Sequence, residues 1–111
     1  MSVMDKPIHP VVSWTHRVIE TRFLPMTSSL GRRVKATLVL GGKVYRATIP
    51  WVDMPCGHSE ESLVNHRMAA LRVLLDADIH RGKVLVSGSV YPGDRFVHLA
   101  VNESDLEHEQ A

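Results

Sequence analysis

The sequence predicts an α+β fold of two layers, a mostly antiparallel sheet with one helix packed on one face. Three observations support this prediction. Two runs rich in β-branched and aliphatic residues flank Gly41-Gly42, and glycine adopts the positive φ of tight hairpin turns at little cost. Apolar residues recur at helical spacing between residues 59 and 80. A second pair of β-rich runs flanks Pro92-Gly93-Asp94, so the predicted order is βββαββ.

The hairpin around Gly41 and Gly42 has a register that sorts its side chains by chemistry. If the two glycines form the loop, Leu40 faces Lys43 and Val34 faces Ile49. Because side chains alternate between faces, one face is apolar and the other basic. The apolar face collects Val34, Ala36, Leu38, Leu40, Tyr45, Ala47 and Ile49. The opposite face collects Arg33, Lys35, Thr37, Arg46 and Thr48, together with Val39 and Val44.

The remaining segments are predicted in chain order. Residues 1–10 form an irregular arm, and residues 11–24 form a strand or a bent strand because they are rich in β-branched and aromatic residues. Residues 83–91 and 95–101 form a second hairpin, in which Gly88 marks a bulge or a close backbone contact. Residues 11–101 make a single domain, and residues 102–111 form an acidic tail.

The helix is predicted from an N-cap at Ser59 to about His80. Its apolar residues recur every three or four positions, which predicts the face that lies on the sheet. This stripe consists of Val64, Met68, Leu71, Leu75 and Ile79, widened by Leu63 and Leu74.

Composition places the chain among globular proteins. With 111 residues, of which 44% are apolar and 23% charged, one modest core is expected. No apolar run approaches the length of a membrane span, and the first residues lack the apolar core of a signal peptide. The single cysteine, Cys56, excludes an internal disulfide. These features together predict a cytoplasmic location.

Charge is polarised along the chain. Residues 1–50 carry eight basic and two acidic side chains, a net charge of +6. Residues 51–111 carry five basic and ten acidic side chains, a net charge of −5. Such polarity favours an acidic partner, nucleic acid included, or head-to-tail association of two copies.

The basic hairpin face is the main candidate binding surface. It comprises Arg33, Lys35 and Arg46, with Arg22, Arg32 and Lys43 nearby. A phosphate backbone or an acidic protein surface could bind there, whereas the structural alternative is a solvated face that discourages edge pairing. Tyr45 falls on the other face, which argues against the stacking of unpaired bases on this one.

Trp14, Asn65 and His66 are the further interface candidates. For Asn65 and His66 the structural alternative is that they tie the helix to the loop near Pro50-Trp51, and this alternative is favoured. Trp51 itself is expected to cover one end of the core.

Catalytic and metal chemistry find little support in the sequence. Cys56, His58 and His66 lack a fourth ligand and any standard zinc spacing, and no oxyanion-hole motif accompanies the thiol. Phosphate-binding loops and paired cysteine motifs are also missing from the sequence. The protein is therefore predicted not to be an enzyme, with no cofactor and no metal.

Several short motifs resemble those of a family of short uncharacterised proteins in bacterial and phage genomes. The matching residues are Thr21-Arg22-Phe23-Leu24-Pro25, Gly31-Arg32-Arg33-Val34-Lys35-Ala36, Thr48-Ile49-Pro50-Trp51 and Asn65-His66 with Ala69 and Ala70. They span roughly residues 21–75. The resemblance implies an association with mobile genetic elements and no defined biochemical role.

Taken together, the sequence predicts a small non-catalytic binding protein, derived from a phage or mobile element. Its expected partner is a nucleic acid or a nucleic-acid-handling complex, bound through the basic hairpin face. An inhibitor of host defence, of the anti-CRISPR or anti-restriction kind, is the most specific form of this prediction. The alternative is a structural or self-assembling module, such as a homodimer, that joins complementary basic and acidic surfaces.

Overall fold

The computed structural model describes residues 17–90 and 93–104 and confirms the predicted α+β architecture. The elements are β1 (Arg17–Leu24), β2 (Arg33–Leu40), β3 (Lys43–Pro50), α1 (His58–Asp76), β4 (Lys83–Val90) and β5 (Arg95–Asn102). The five strands form one antiparallel sheet in the order β3-β2-β1-β5-β4. Within these ranges, no helix is long and apolar enough to cross a membrane. The predicted N-terminal arm, Trp14 and the end of the acidic tail lie outside the described residues.

The hairpin register predicted from the sequence is confirmed. Leu40 pairs with Lys43 and Val34 pairs with Ile49, with every intervening pair in step. Gly41 and Gly42 have φ angles of 58° and 82°, and positive φ at both positions matches the twist of the two strands. On the apolar face, residues 34, 36 and 38 of β2 are buried beneath α1.

The central strand of the sheet is β1, which pairs with β2 on one side and β5 on the other. Its side chains alternate, so that Ile19 and Thr21 are buried on the helix side while Glu20 and Arg22 are exposed on the other. Since the strand lies between two hairpins that are distant in sequence, it joins them into one sheet.

The second hairpin is confirmed, but the bulge predicted at Gly88 is wrong. Strand β4 pairs with β5 without interruption, and Gly88 lies opposite Val97. A Cβ atom built on Gly88 would meet no other atom within 4 Å, so no close backbone contact requires glycine there.

The prediction of which face of α1 lies on the sheet is wrong for most of its residues. The central members of the predicted stripe, at positions 64, 68, 71 and 75, are between 38% and 48% exposed, and of the predicted stripe within the helix only Leu74 is buried. The buried residues of the helix are Asn65, His66, Ala69, Ala70, Val73 and Leu74. Two alanines let the helix backbone approach the sheet closely, and Asn65 and His66 are hydrogen-bonded where they are buried. The prediction failed because it considered only large apolar side chains, whereas small residues and hydrogen-bonded polar residues can also be buried.

Both ends of α1 differ from the prediction by a few residues. The helix begins at His58 with Gly57 as N-cap, rather than at Ser59, and Glu60 and Glu61 lie in its first turn. It ends at Asp76, because Asp78 adopts a positive φ of 58° that a helix cannot continue through. Ile79 follows and packs against the core.

Candidate functional site

The sheet surface opposite α1 carries the cations predicted from the sequence, and we call it the open basic face. Strand pairing places Lys35 opposite Arg22 and Arg22 opposite Arg95, so that three cations form one row across β2, β1 and β5. Adjacent strands lie about 5 Å apart, and like charges in directly opposite positions repel one another. Such a row is therefore stabilised by any anion that lies across it. Arg33 and Arg46 complete the open basic face.

Few groups of the protein itself neutralise the open basic face. Among the described strand residues, Glu20 is the one acidic side chain, and its Oε2 lies 3.9 Å from an Arg95 guanidinium nitrogen. Arg33 donates to the carbonyl oxygens of Gly31 and Pro25, which fixes its guanidinium near the strand ends. A cavity of about 280 Å³ lies on this face over β1, β2 and β3, lined by Glu20, Arg22, Leu24, Lys35, Thr37 and Arg46. The surface is thus concave and predominantly cationic.

Two predicted binding residues do not belong to the open basic face. Lys43 pairs with Leu40 in the row on the helix side, and its Nζ lies 5.0 Å from the centre of the Tyr45 ring. Arg32 forms an ion pair of 2.6 Å with Asp53 and lies 5.7 Å from the Trp51 ring centre, also on the helix side. Arg95 takes their place, and sequence reasoning missed it because nothing in the sequence reveals that β5 pairs with β1.

Asn65 acts as a structural tie rather than as an exposed contact, which confirms the interpretation favoured from the sequence. Its Oδ1 accepts a hydrogen bond of 2.8 Å from the Val52 backbone N–H. Its Nδ2 donates to the carbonyl oxygens of Val52 and Glu61, each at 2.9 Å. Both Asn65 and His66 are buried, which removes their side chains from any flat docking surface on this fold.

His66 belongs to a buried chain of polar side chains that sequence reasoning missed. Thr21 Oγ1 lies 2.7 Å from His66 Nδ1 and 2.8 Å from His98 Nε2. The chain continues through Ser87 Oγ, which lies 2.8 Å from His98 Nδ1 and accepts a bond of 2.9 Å from Arg67. Four elements, α1, β1, β5 and β4, therefore meet in one network. Only tertiary structure brings these residues together, since Thr21 and His98 are 77 positions apart.

Both histidines of this network are neutral at pH 7. Burial lowers the pKa of His66 to about 4, against the opposing influence of the Asp94 carboxylate. Burial also lowers the pKa of His98 to about 4, and the nearby His66 and Arg67 lower it further. A neutral imidazole has one donor and one acceptor nitrogen, so the network has a definite direction of hydrogen-bond donation.

The hydrogen-bond inventory indicates that direction. Arg67 can only donate, so Ser87 Oγ accepts that bond, and we assign the Ser87 hydrogen to His98 Nδ1, which is the acceptor within this chain of side chains. His98 then donates from Nε2 to Thr21, and Thr21 donates to His66 Nδ1. In the reverse direction the Ser87 hydrogen would have no acceptor within this chain of side chains. With the direction assigned in this way, the His66 proton is placed on Nε2.

His66 also lines a pocket on the helix side of the sheet, beside the ends of β1 and β3, which we call the end pocket. The cavity measures about 280 Å³ and is lined by Phe23, Arg32, Trp51, His58, Ser62, His66, Gly93 and Asp94. Phe23 and Trp51 form its aromatic walls, with ring centres 5.3 Å apart at an interplanar angle of 86°. Trp51 is held in place because its indole N–H donates to Glu61 Oε2 at 2.6 Å. Trp51 also packs against the core, as predicted.

Cys56 is exposed in the loop before α1. In the described part of the chain, no three histidine, cysteine or acidic side chains come close enough together to hold a metal ion. Comparison with known proteins finds no matching protein family, curated protein or solved structure. The resemblance to short bacterial and phage proteins therefore stays a prediction.

Proposed function

We propose that this protein is a non-catalytic binding protein whose open basic face holds a nucleic-acid backbone. The observation that carries the proposal is the row of Lys35, Arg22 and Arg95 across three strands, with Glu20 as its one acidic neighbour on the described strands. One carboxylate does not balance three cations, so phosphates supply the further negative charge, and neutralising the phosphates releases counterions.

The composition of the face favours contact with the backbone over contact with bases. None of the described strand residues on this face is aromatic, so the face has no platform on which unpaired bases stack. Arginine, lysine and threonine are the side chains that commonly contact phosphate oxygens. Binding through this face is therefore expected to depend strongly on salt and weakly on sequence.

The test compares two triple variants in binding to a short DNA duplex and a short RNA duplex over a range of salt concentrations. Changing Arg22, Lys35 and Arg46 to alanine should reduce the slope of log affinity against log salt by about 3, because three phosphate contacts are lost. The matched control changes Lys43, Arg72 and Arg81, three exposed cations outside the open basic face, and should leave the slope unchanged. Equal slopes for the two triple variants, or no binding by the unaltered protein at low salt, would overturn the proposal.

The most specific form of the proposal is an inhibitor of host defence that occupies a nucleic-acid-handling complex through the same face. The cationic row and the small size of the chain support it. A pull-down from bacterial lysate, with and without nuclease, tests this form. Partners that survive nuclease treatment, and are lost with the Arg22, Lys35 and Arg46 variant, support a protein complex as the target. Partners that the variant retains would contradict it.

A second candidate function is self-association through the open side of the sheet. Six valines on the open side of the described sheet are between 36% and 63% exposed, namely Val18, Val39, Val44, Val86, Val90 and Val97. Apolar residues next to a charged row fit a protein partner better than they fit a phosphate backbone. Sizing chromatography at low and high salt separates the candidates, because a dimer formed without nucleic acid supports self-association.

A further inference from the structure

Three pairs of adjacent residues connect the end pocket to the open basic face. Phe23, Arg32 and Asp94 line the end pocket, and their sequence neighbours Arg22, Arg33 and Arg95 belong to the open basic face. Arg22 and Phe23 are successive residues of β1, and successive side chains of a strand point to opposite faces, so the pocket and the cations lie back to back at the end of the sheet. A nucleic-acid strand whose phosphates lie on the cations would reach the end pocket by passing round this end of the sheet.

The end pocket has the dimensions and walls of a site for one planar ring system. Its volume of about 280 Å³ lies at the lower limit of small-molecule sites. The Phe23 and Trp51 rings meet edge to face, and the Arg32 guanidinium lies over Trp51. Because Trp51 is also anchored by Glu61, the aromatic walls are fixed before any ligand enters.

The polar groups of the end pocket favour a particular hydrogen-bonding edge. Thr21 occupies His66 Nδ1, so the nitrogen left for a ligand is Nε2, to which the assigned hydrogen-bond direction gives the proton. The Asp94 carboxylate can only accept, and its negative charge acts on His66. His66 and Asp94 thus supply one donor and one acceptor with two oxygens to the same pocket, and Arg32, His58 and Ser62 are the further polar groups of its lining.

From this arrangement we propose that the end pocket binds guanine, as an unpaired base of the nucleic acid held by the open basic face. The guanine edge presents the acceptor O6 beside the donors N1–H and N2–H₂. O6 accepts from His66 Nε2–H, and the two donors reach the Asp94 oxygens. Adenine and cytosine lack two adjacent donors on this edge, so the pocket discriminates against them. This proposal rests on the proposed nucleic-acid binding for its biological setting, but the pocket chemistry itself does not.

The experiment uses free guanosine, which has no phosphate, and follows the Trp51 indole N–H resonance of the full chain by NMR. We expect guanosine in the millimolar range to shift this resonance in a saturable manner, with inosine and adenosine binding at least about tenfold more weakly. Inosine is informative because it lacks only the 2-amino group. Equal binding of inosine and guanosine would overturn recognition by Asp94.

Variants separate the end pocket from the open basic face. Asp94→Asn should weaken guanosine binding by about tenfold or more, since a charged acceptor is lost, whereas Asp78→Asn, an exposed control beyond α1, should not change it. Ser62→Trp should fill the cavity and abolish the shift. The Arg22, Lys35 and Arg46 triple variant should still bind guanosine while losing affinity for duplexes.

The outcomes distinguish the two proposals. Guanosine binding without duplex binding would contradict the proposed nucleic-acid function but not the proposal that the end pocket binds guanine. Duplex binding with no guanosine shift leaves the open basic face and removes the pocket assignment.

Discussion

Thr21 Oγ1 lies 2.7 Å from His66 Nδ1, although the two residues are separated by 45 positions along the chain. The contact joins the central strand to the helix, and the same hydroxyl also meets His98. All three side chains are buried, with exposures of 0%, 1% and 0% for residues 21, 66 and 98. The Thr21 hydroxyl gives each of the two buried imidazoles a hydrogen-bond partner, so a small core can contain both rings.

Removing that hydroxyl should destabilise the fold. Thr21→Val keeps the shape of the side chain but takes away one partner of each histidine, which we expect to lower the free energy of unfolding by about 2–4 kcal/mol. Urea unfolding followed by circular dichroism measures this difference. Thr48→Val, at an exposed position of β3, is the matched control and should stay within about 0.5 kcal/mol of the parent protein. A similar small effect at both positions would show that the shared hydroxyl contributes little.

Stability should depend on pH through the same histidines. The pKa of each falls from 6.5 to about 4 on folding, so the unfolded chain binds more protons between these values. The free energy of unfolding is therefore fully developed above pH 6.5 and declines as the pH falls toward 4. Between pH 7 and pH 5 we expect a loss of about 2 kcal/mol for each histidine, measured by urea unfolding. His98→Gln should reduce this dependence, while His58→Gln, at an exposed position, should preserve it.

The orientation of α1 predicts that Leu74 stabilises the fold more than Leu71 does, although the hydrophobic pattern of the helix placed Leu71 at the centre of the buried face. Leu74 is 1% exposed and Leu71 is 47% exposed, although both are leucines of the same helix. Leu74→Ala should lower the free energy of unfolding by about 2–5 kcal/mol, because it opens a cavity in the core. Leu71→Ala should lower it by less than about 1 kcal/mol. Chemical unfolding of both variants checks the order, and a larger effect at Leu71 would mean that the helix packs by its other face.

The hairpin turn should be sensitive to substitution at Gly41, whereas Gly31, in the loop before β2, should be insensitive. Gly41→Ala forces a Cβ into the left-handed region, so we expect a loss of about 1 kcal/mol in the free energy of unfolding. Gly31→Ala is the control, because an added Cβ there meets no atom within 4 Å and the residue has no positive φ. Gly41→Asn should be tolerated better than Gly41→Ala, since asparagine adopts this conformation more readily. Thermal unfolding of the three variants measures the ranking.

The sheet hairpins could be predicted because their information is local. Gly41-Gly42 sets the turn, the turn sets the register, and alternation then assigns each side chain of β2 and β3 to a face. The candidate site could be predicted from the sequence only in part. Arg33, Lys35 and Arg46 share a hairpin and were found together, whereas Arg95 reaches Arg22 through a pairing of strands that are distant in the chain.

By itself, the sequence determined the secondary structure, the first hairpin and the sign of its outer face, since each depends on neighbours within a few residues. Tertiary structure alone decided the strand order, the buried face of α1 and the histidine network. Those features depend on which groups can pack and hydrogen-bond across the chain. The face of α1 that lies on the sheet carries Asn65, His66, Ala69 and Ala70. It is favoured because the alanines let the helix approach the sheet closely and the two polar side chains are hydrogen-bonded there, which stabilises the fold more than burial of the larger aliphatic side chains on the exposed face would.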